Sequence, residues 1–192
     1  MRALVKGFEY MSFDDFEEAL LDKPEHERWE LIGGRVIRGM VGARWEHNRI
    51  VGNVFAALLT GLRAADSTCR PFAETFWLKE RFLDLAVFPD VMVRCGPLEP
   101  DAISLNDPIV LVEVVSRGSA QRDRFEKWNL YQRLPSVQHY VLIERERVHV
   151  DVFDRKPDGW LQRPALLTLD DTLSLPAVPF SLAVAEIYRD VF

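Results

Sequence analysis

The stretches Phe88-Pro89-Asp90-Val91-Met92-Val93 and Ile109-Val110-Leu111-Val112-Glu113-Val114-Val115-Ser116 decide the fold. The second is apolar enough to predict a central strand covered on both faces, and the first belongs to a predicted strand over Leu85 to Val93. Each carries one carboxylate in an otherwise apolar run. An isolated buried charge is costly, so Asp90 and Glu113 must be paired, hydrogen-bonded or bound to a metal. On adjacent strands the two acids could meet at one edge of the sheet and offer the hard oxygen donors that Mg2+ takes. A core arginine beside each would satisfy them equally well. Two like charges brought close also predict that removing either one relieves repulsion in ion-free protein.

Around these runs the chain alternates helical and strand periods. Met11 to Leu21 predicts an opening helix, with Ser12 as cap, Asp15 three positions on, and Met11 stapled onto Phe16. Trp29 to Met40 predicts two short strands about Gly33-Gly34, a tight-hairpin signal. From His47 to Arg63 the residues Ile50, Val51, Val54, Leu58 and Leu62 recur at helical spacing. Phe72 to Leu78 predicts a strand, Ser119 to Leu134 a second helix, and His139 to Phe153 a strand, a turn and a strand with Val148, Val150 and Val152 on one face. A Pro-punctuated tail ends in a short helix near Leu182 to Tyr188. This order predicts an α/β fold, a mixed β-sheet flanked by α-helices with an added N-terminal helix and hairpin. The 192 residues suit a single domain over 1–192.

Hydrophobic residues at 48% and charged residues at 28% exclude a disordered chain and a fibrous repeat. No apolar run approaches the roughly 20 residues that cross a bilayer, and the N-terminus lacks the apolar stretch of a signal peptide, so a cytoplasmic protein without membrane contact is expected. Cys69 and Cys95 form no CxxC pair and no ligand cluster, which reads as buried, reduced thiols. The net charge of −6 argues against indiscriminate DNA binding. Between Arg117 and Arg133 the balance reverses. Arg117, Arg122, Arg124, Lys127 and Arg133 face Asp123 and Glu126, a net of +3 that is either an electrostatic footprint or ordinary solvated surface.

Lys127 stands out within that window. On a helical wheel Phe125, Trp128, Leu130, Tyr131 and Leu134 form the apolar face, and Lys127 falls between Tyr131 and Leu134, pointing inward. Asp123, one turn earlier, shares its side. The chain uses 5 lysines against 19 arginines, yet a lysine takes this inward place. Lysine can serve as a compact charge in a site. Snorkelling to solvent, or a plain Asp123 to Lys127 helix pair, would account for it more simply. Trp128 and Tyr131 read as core aromatics.

Six spaced motifs together carry a resemblance: WELIGGRVI at Trp29 to Ile37, EHNRIV at Glu46 to Val51, FPDVMV at Phe88 to Val93, VEVVS at Val112 to Ser116, DRFEKWNLY at Asp123 to Tyr131, and HYVLIE at His139 to Glu144. Over nearly its whole length the chain resembles a restriction-endonuclease-like family of bacterial proteins within the PD-(D/E)XK nuclease superfamily. The resemblance implies a metal-dependent endonuclease that hydrolyses phosphodiester bonds of DNA and leaves a 5′-phosphate. It implies Mg2+, or Mn2+, held by Asp90, Glu113 and the carbonyl of Val114, with a catalytic lysine nearby. The superfamily lysine stands two residues after the glutamate, on the same strand face, where this chain has Val115. The family places it on the following helix, at the position of Lys127, with Asp123 to hold it. Glu30 and His47 also match recurrent family positions. Glu30 would add a carboxylate to the site or stand as a surface-strand acid; His47 would touch a phosphate or a metal-bound water, or be a satisfied core histidine. Arg117, Arg122 and Arg124 would contact nucleic acid. Because paired cuts need two sites, a homodimer is expected. The acidic balance and Val115 motivate a competing reading, a nuclease-fold module that binds nucleic acid without efficient cleavage. A different metal hydrolase on the same scaffold is a third.

Overall fold

The computed structural model describes residues 10–40, 43–116 and 122–192. Helix α1 (Phe13–Ala19) runs into a 3-10 turn at Leu20–Asp22. Ser12 Oγ accepts the Asp15 amide at 3.2 Å, and Met11 packs against the apolar group that contains Phe16, so cap and staple both form. Strands β1 (Glu27–Ile32) and β2 (Arg35–Met40) pair antiparallel with Ile32 opposite Arg35. Gly33 and Gly34 between them take φ of 58° and 81°, the left-handed pair that a two-residue hairpin turn requires. Helix α2 (Trp45–Ala64) buries Ile50, Val51, Val54, Leu58 and Leu62. Each such side chain adds roughly 1.5–3 kcal/mol.

Next come β3 (Cys69–Ala73), β4 (Trp77–Glu80), β5 (Leu85–Val87), β6 (Val91–Cys95), β7 (Ser104–Leu105) and β8 (Val110–Val115). The single strands predicted over Phe72 to Leu78 and Leu85 to Val93 are corrected here, because each run is split between two sheets. Pro89 has no N–H to give a ladder, and β5 and β6 part around it. Glu74 turns the other run at a φ of 40°. A π-helical segment (Arg122–Lys127) leads into α3 (Trp128–Tyr131). The chain closes with β9 (His139–Glu144), β10 (Val150–Lys156), β11 (Gly159–Gln162), β12 (Thr172–Leu175), β13 (Phe180–Ala183) and α4 (Val184–Ile187).

A six-stranded sheet has the order β11-β10-β9-β8-β6-β3, and a five-stranded sheet the order β2-β1-β5-β4-β7. Both are mixed, since β8 pairs β9 and β4 pairs β7 in parallel while their other ladders are antiparallel. The N-terminal hairpin is therefore no appendage; through β5 it builds the second sheet. One face of the six-stranded sheet, with Val91, Val93, Val112, Val114 and Val141, packs against α2, α4 and the β12–β13 hairpin. Its other face, with Met92, Leu111, Val115, Tyr140 and Leu142, meets Leu78, Leu85 and Val87 of the second sheet and Tyr131 of α3. Helix α1 covers the far side of that second sheet, Phe16 against Leu31 and Ala86. A Cβ at Gly61 would stand 3.1 Å from two ring carbons of Phe180, so glycine lets α2 approach β13. No helix of the described residues is long and apolar enough to cross a membrane.

The antiparallel register of β3 and β6 sets Cys69 opposite Cys95, and the two form a disulfide across a sequence separation of 26. This corrects the reading of free thiols. Neither residue's neighbours betray the pairing, because only the strand register brings the sulfurs together. Chain-entropy arguments give such a cross-link about 3 kcal/mol. Dithiothreitol should therefore lower the melting temperature by roughly 6–12 °C, and Cys95→Ser should melt at the reduced value in either buffer. Identical melting of wild type with and without reductant would show that the thiols are unbonded in solution.

A second stability device joins β9 to the tail. His139 Nδ1 lies 2.8 Å from Asp154 Oδ1, its Nε2 accepts the Ala177 amide at 3.1 Å, and Arg163 donates to both Asp154 oxygens at 2.7 Å. Burial lowers the His139 pKa from its ordinary 6.5, with Arg163 and Lys156 adding to the effect, and Asp154 does not overcome them. A histidine whose folded pKa lies below its unfolded one contributes fully above the unfolded value and loses that contribution as pH falls below it. Stability should thus decline as pH drops from 7.5 toward 5.5. His139→Gln should flatten that decline in urea titrations, and an unchanged slope would assign it to other groups.

Candidate active site

A clamped crossing between the two sheets presents Asp90. Glu30 Oε1 accepts the Phe88 amide at 3.0 Å, and Arg28 donates to the Phe88 carbonyl at 2.9 Å. The Arg28 guanidinium lies 4.6 Å over the Phe88 ring, and the Trp77 ring centroid stands 3.6 Å away on it. After Pro89, Asp90 falls one step beyond the β6–β8 pair Val91 and Val112, a register that sets it opposite Glu113. Opposite residues on antiparallel strands share a face. The Val114 amide donates to Asp90 Oδ2 at 2.6 Å, and His47 Nε2, from the first turn of α2, lies 3.1 Å from the same oxygen. Asp90 Oδ1 takes no hydrogen bond among the described residues.

Glu113 sits at the centre of a different set of contacts. Its Oε1 accepts from Lys127 Nζ and from Tyr131 Oη, each at 2.9 Å, and Glu113 and Lys127 are each 3% exposed. An ammonium and a carboxylate this deep are tolerable only as a hydrogen-bonded pair. Lys127 ends the π-helical segment, a wider turn with i→i+5 bonding that often marks functional sites. The wide turn also corrects the wheel: Phe125, placed on the apolar face by a 3.6-residue period, is 64% exposed. Glu126 forms an ion pair with Arg35 and so ties this segment to β2.

The charges shape one another. Burial alone would lower the His47 pKa, but the hydrogen bond and charge of Asp90, with Glu74 and Glu113 behind it, raise it above its ordinary range. Burial, then the Glu113 charge, pushes the Tyr131 hydroxyl well above the usual tyrosine range, so it remains a neutral donor.

Asp90, Glu113, Lys127 and His47 thus converge with the Val114 backbone. Glu30 is buried and holds the Phe88 amide, so it is no surface-strand acid. Arg117 lies outside the described residues, as do the side chains of Arg122, Asp123 and Arg124; Arg133 is exposed. Two residues were missed in the sequence. Tyr131 was assigned to packing, although its spacing of four from Lys127 puts both on one helix side. Glu74 gave no signal at all, yet one ligand atom each from His47, Glu74 and Asp90 lie within 4.8 Å of one another. Trp128 is the core aromatic it was expected to be, with Tyr140, Phe153 and Trp160 ring centroids at 5.4, 4.7 and 4.9 Å.

Comparison with known proteins adds a family. The sequence profile of the Uma2 family, described as "Putative restriction endonuclease", matches residues 13–185, a span that contains every site residue above. An uncharacterized protein of Synechocystis sp., slr1290, is 34% identical over 105 residues, and the match spans about half of each chain, 53% of this one and 53% of that one. A second from the same organism, sll1609, is 28% identical over 141 residues, 70% of this chain and 77% of that one. The crystal structure of "a putative nuclease belonging to DUF820" from Anabaena variabilis superposes with a TM-score of 0.73, covering 95% of this chain and 99% of that chain at 19% identity. At that identity the likeness is one of fold.

The Glu113 pairing reverses one expectation for ion-free protein. Removing this acid cannot simply relieve repulsion, because it takes away the carboxylate that a buried ammonium is bonded to. Glu113→Ala should cost about 3–5 kcal/mol in urea melts without metal. Adding Lys127→Met should recover much of the loss. A single variant as stable as wild type would show that the ammonium escapes to solvent.

Proposed function

Since the chain belongs to the Uma2 family and has the restriction-endonuclease-like fold, we propose that it is a metal-dependent endonuclease acting on phosphodiester bonds of DNA. Asp90, Glu113 and the Val114 carbonyl would hold Mg2+ or Mn2+, with Lys127 as the catalytic cation. The observation that carries this reading is the buried Lys127–Glu113 pair opposite Asp90 in the β6–β8 register, an ammonium and two carboxylates gathered at one point of the sheet. The donor chemistry fits: carboxylate and carbonyl oxygens are the hard ligands such ions prefer, and Asp90 Oδ1 has no competing hydrogen bond among the described residues.

A bound ion supplies Lewis acidity toward the phosphate and makes water a better nucleophile. The protein's part is positioning. Lys127 sets fixed positive charge against the oxygens that gain charge as water's oxygen bonds to phosphorus and the P–O3′ bond breaks, leaving a 5′-phosphate and a 3′-hydroxyl. Tyr131, which keeps its proton, orients the Glu113 carboxylate from behind. His47 fixes Asp90 from the α2 side. Asp123 would steady Lys127, and Arg117, Arg122 and Arg124 would contact the phosphate backbone. The same reading makes the protein a cytoplasmic homodimer. The net charge of −6 and Val115 favour the second reading, a module that binds nucleic acid without cutting it.

A cleavage screen with added Mg2+ or Mn2+ over single-stranded, duplex and branched DNA and over RNA tests the proposal. Wild type should cut DNA internally, Asp90→Ala should lose activity, and Lys127→Met should turn over roughly 10²-fold more slowly while calorimetry still reports cation binding. Full activity in Lys127→Met would remove the lysine from the mechanism. Cation and DNA binding without any cleavage by wild type would establish the non-cutting module instead.

A further inference from the structure

We propose that His47, Glu74 and Asp90 form a cation position separate from Glu113, and that its imidazole donor makes it select first-row transition dications over Mg2+. The inference rests on the metal-centre reading of Asp90 and needs no nuclease activity. One ligand atom from each of the three lies within 4.8 Å of the other two, and Glu113 is not part of that group. Glu113 Oε1 is engaged by Lys127 and Tyr131.

Two of the three donors already stand at coordination spacing. Bonds of about 2.1 Å put neighbouring octahedral ligands about 3 Å apart, and His47 Nε2 lies 3.1 Å from Asp90 Oδ2. The hydrogen bond between them holds them there in the ion-free protein. Glu74 supplies the third donor. Its backbone takes a φ of 40°, a conformation that costs energy for any residue but glycine and asparagine-like side chains. Its half-buried carboxylate makes no hydrogen bond or ion pair among the described residues. A second acid brought to Asp90, with no hydrogen bond of its own among the described residues, raises the energy of the site unless positive charge lies between them. A bound dication supplies that charge. Mg2+ prefers an all-oxygen octahedron and gives up water reluctantly, whereas imidazole is a good ligand for first-row transition metals. The nitrogen therefore sets the preference.

Mn2+ is the probe, added to the full chain with competing Mg2+ and followed by electron paramagnetic resonance. Wild type should bind Mn2+ with a nitrogen directly coordinated, seen as 14N coupling in the spin-echo modulation. His47→Gln should lose that coupling, and Glu74→Gln, which keeps the side chain's size, should weaken Mn2+ binding at least about tenfold. Glu113→Gln should retain the nitrogen signal. Bound Mn2+ without 14N coupling, or Glu74→Gln with wild-type affinity, overturns the inference; if Glu113→Gln alone then loses Mn2+, the Asp90–Glu113 centre still stands. Wild type that binds no divalent cation overturns both readings.

Discussion

A lysine ammonium in a protein interior has few places to be. Lys127 is 3% exposed, and Glu113, itself 3% exposed and shared with Tyr131, replaces part of its hydration. That requirement constrains the rest of the site. Glu113 belongs to β8, which is flanked by β6 and β9 inside the six-stranded sheet, so it cannot move toward the helix. The helix must come to it. Lys127 and Tyr131 are four residues apart and both reach one oxygen, and the segment before them widens into a π turn as it arrives. The Arg35–Glu126 ion pair then fastens the same segment to the second sheet.

Asp90 depends on a different kind of constraint. It follows a proline at the point where the chain leaves one sheet for the other, and nothing in a β ladder would hold that corner. Glu30 and Arg28 hold it instead, by gripping the Phe88 amide and carbonyl. Both come from β1, so the N-terminal hairpin is what orients the Asp90 carboxylate. At the opposite end of the β3–β6 ladder the Cys69–Cys95 bond closes the strand pair, while Ala73 opposite Val91 leads directly to Glu74 and Asp90. The ladder is thus fastened at its far end and carries the candidate site at the near one.

What could be read in the sequence was whatever depends on local period and burial. The five apolar residues of α2, the Gly33-Gly34 turn, the buried strand around Glu113 and the inward lysine are all set by spacing within one element. What could not be read depends on distant contacts. Whether Phe72 to Leu78 is one strand or two turns on Glu74 adopting a positive φ, which its side chain does not announce. Likewise, Tyr131 looks like any core aromatic until β8 is placed before its hydroxyl. The cysteines needed a strand register to become a pair.

The valine at 115 shows why the lysine stands on a helix. Strand alternation aims residue 115 to the same side as Glu113, and there it is 1% exposed among Met92, Leu111, Tyr140 and Leu142 and the apolar residues of the second sheet. An ammonium at that point would sit where two sheets close on each other, with hydrocarbon on every side. A lysine from the π-helical segment before α3 approaches from the margin of that layer, where a carboxylate and a phenol already stand. The proposed chemistry asks only that a positive charge lie beside two acids; it does not specify the element that delivers it. Once the N-terminal hairpin had become a second sheet packed on the face of Val115, the strand position was closed to charge and the helix position remained open.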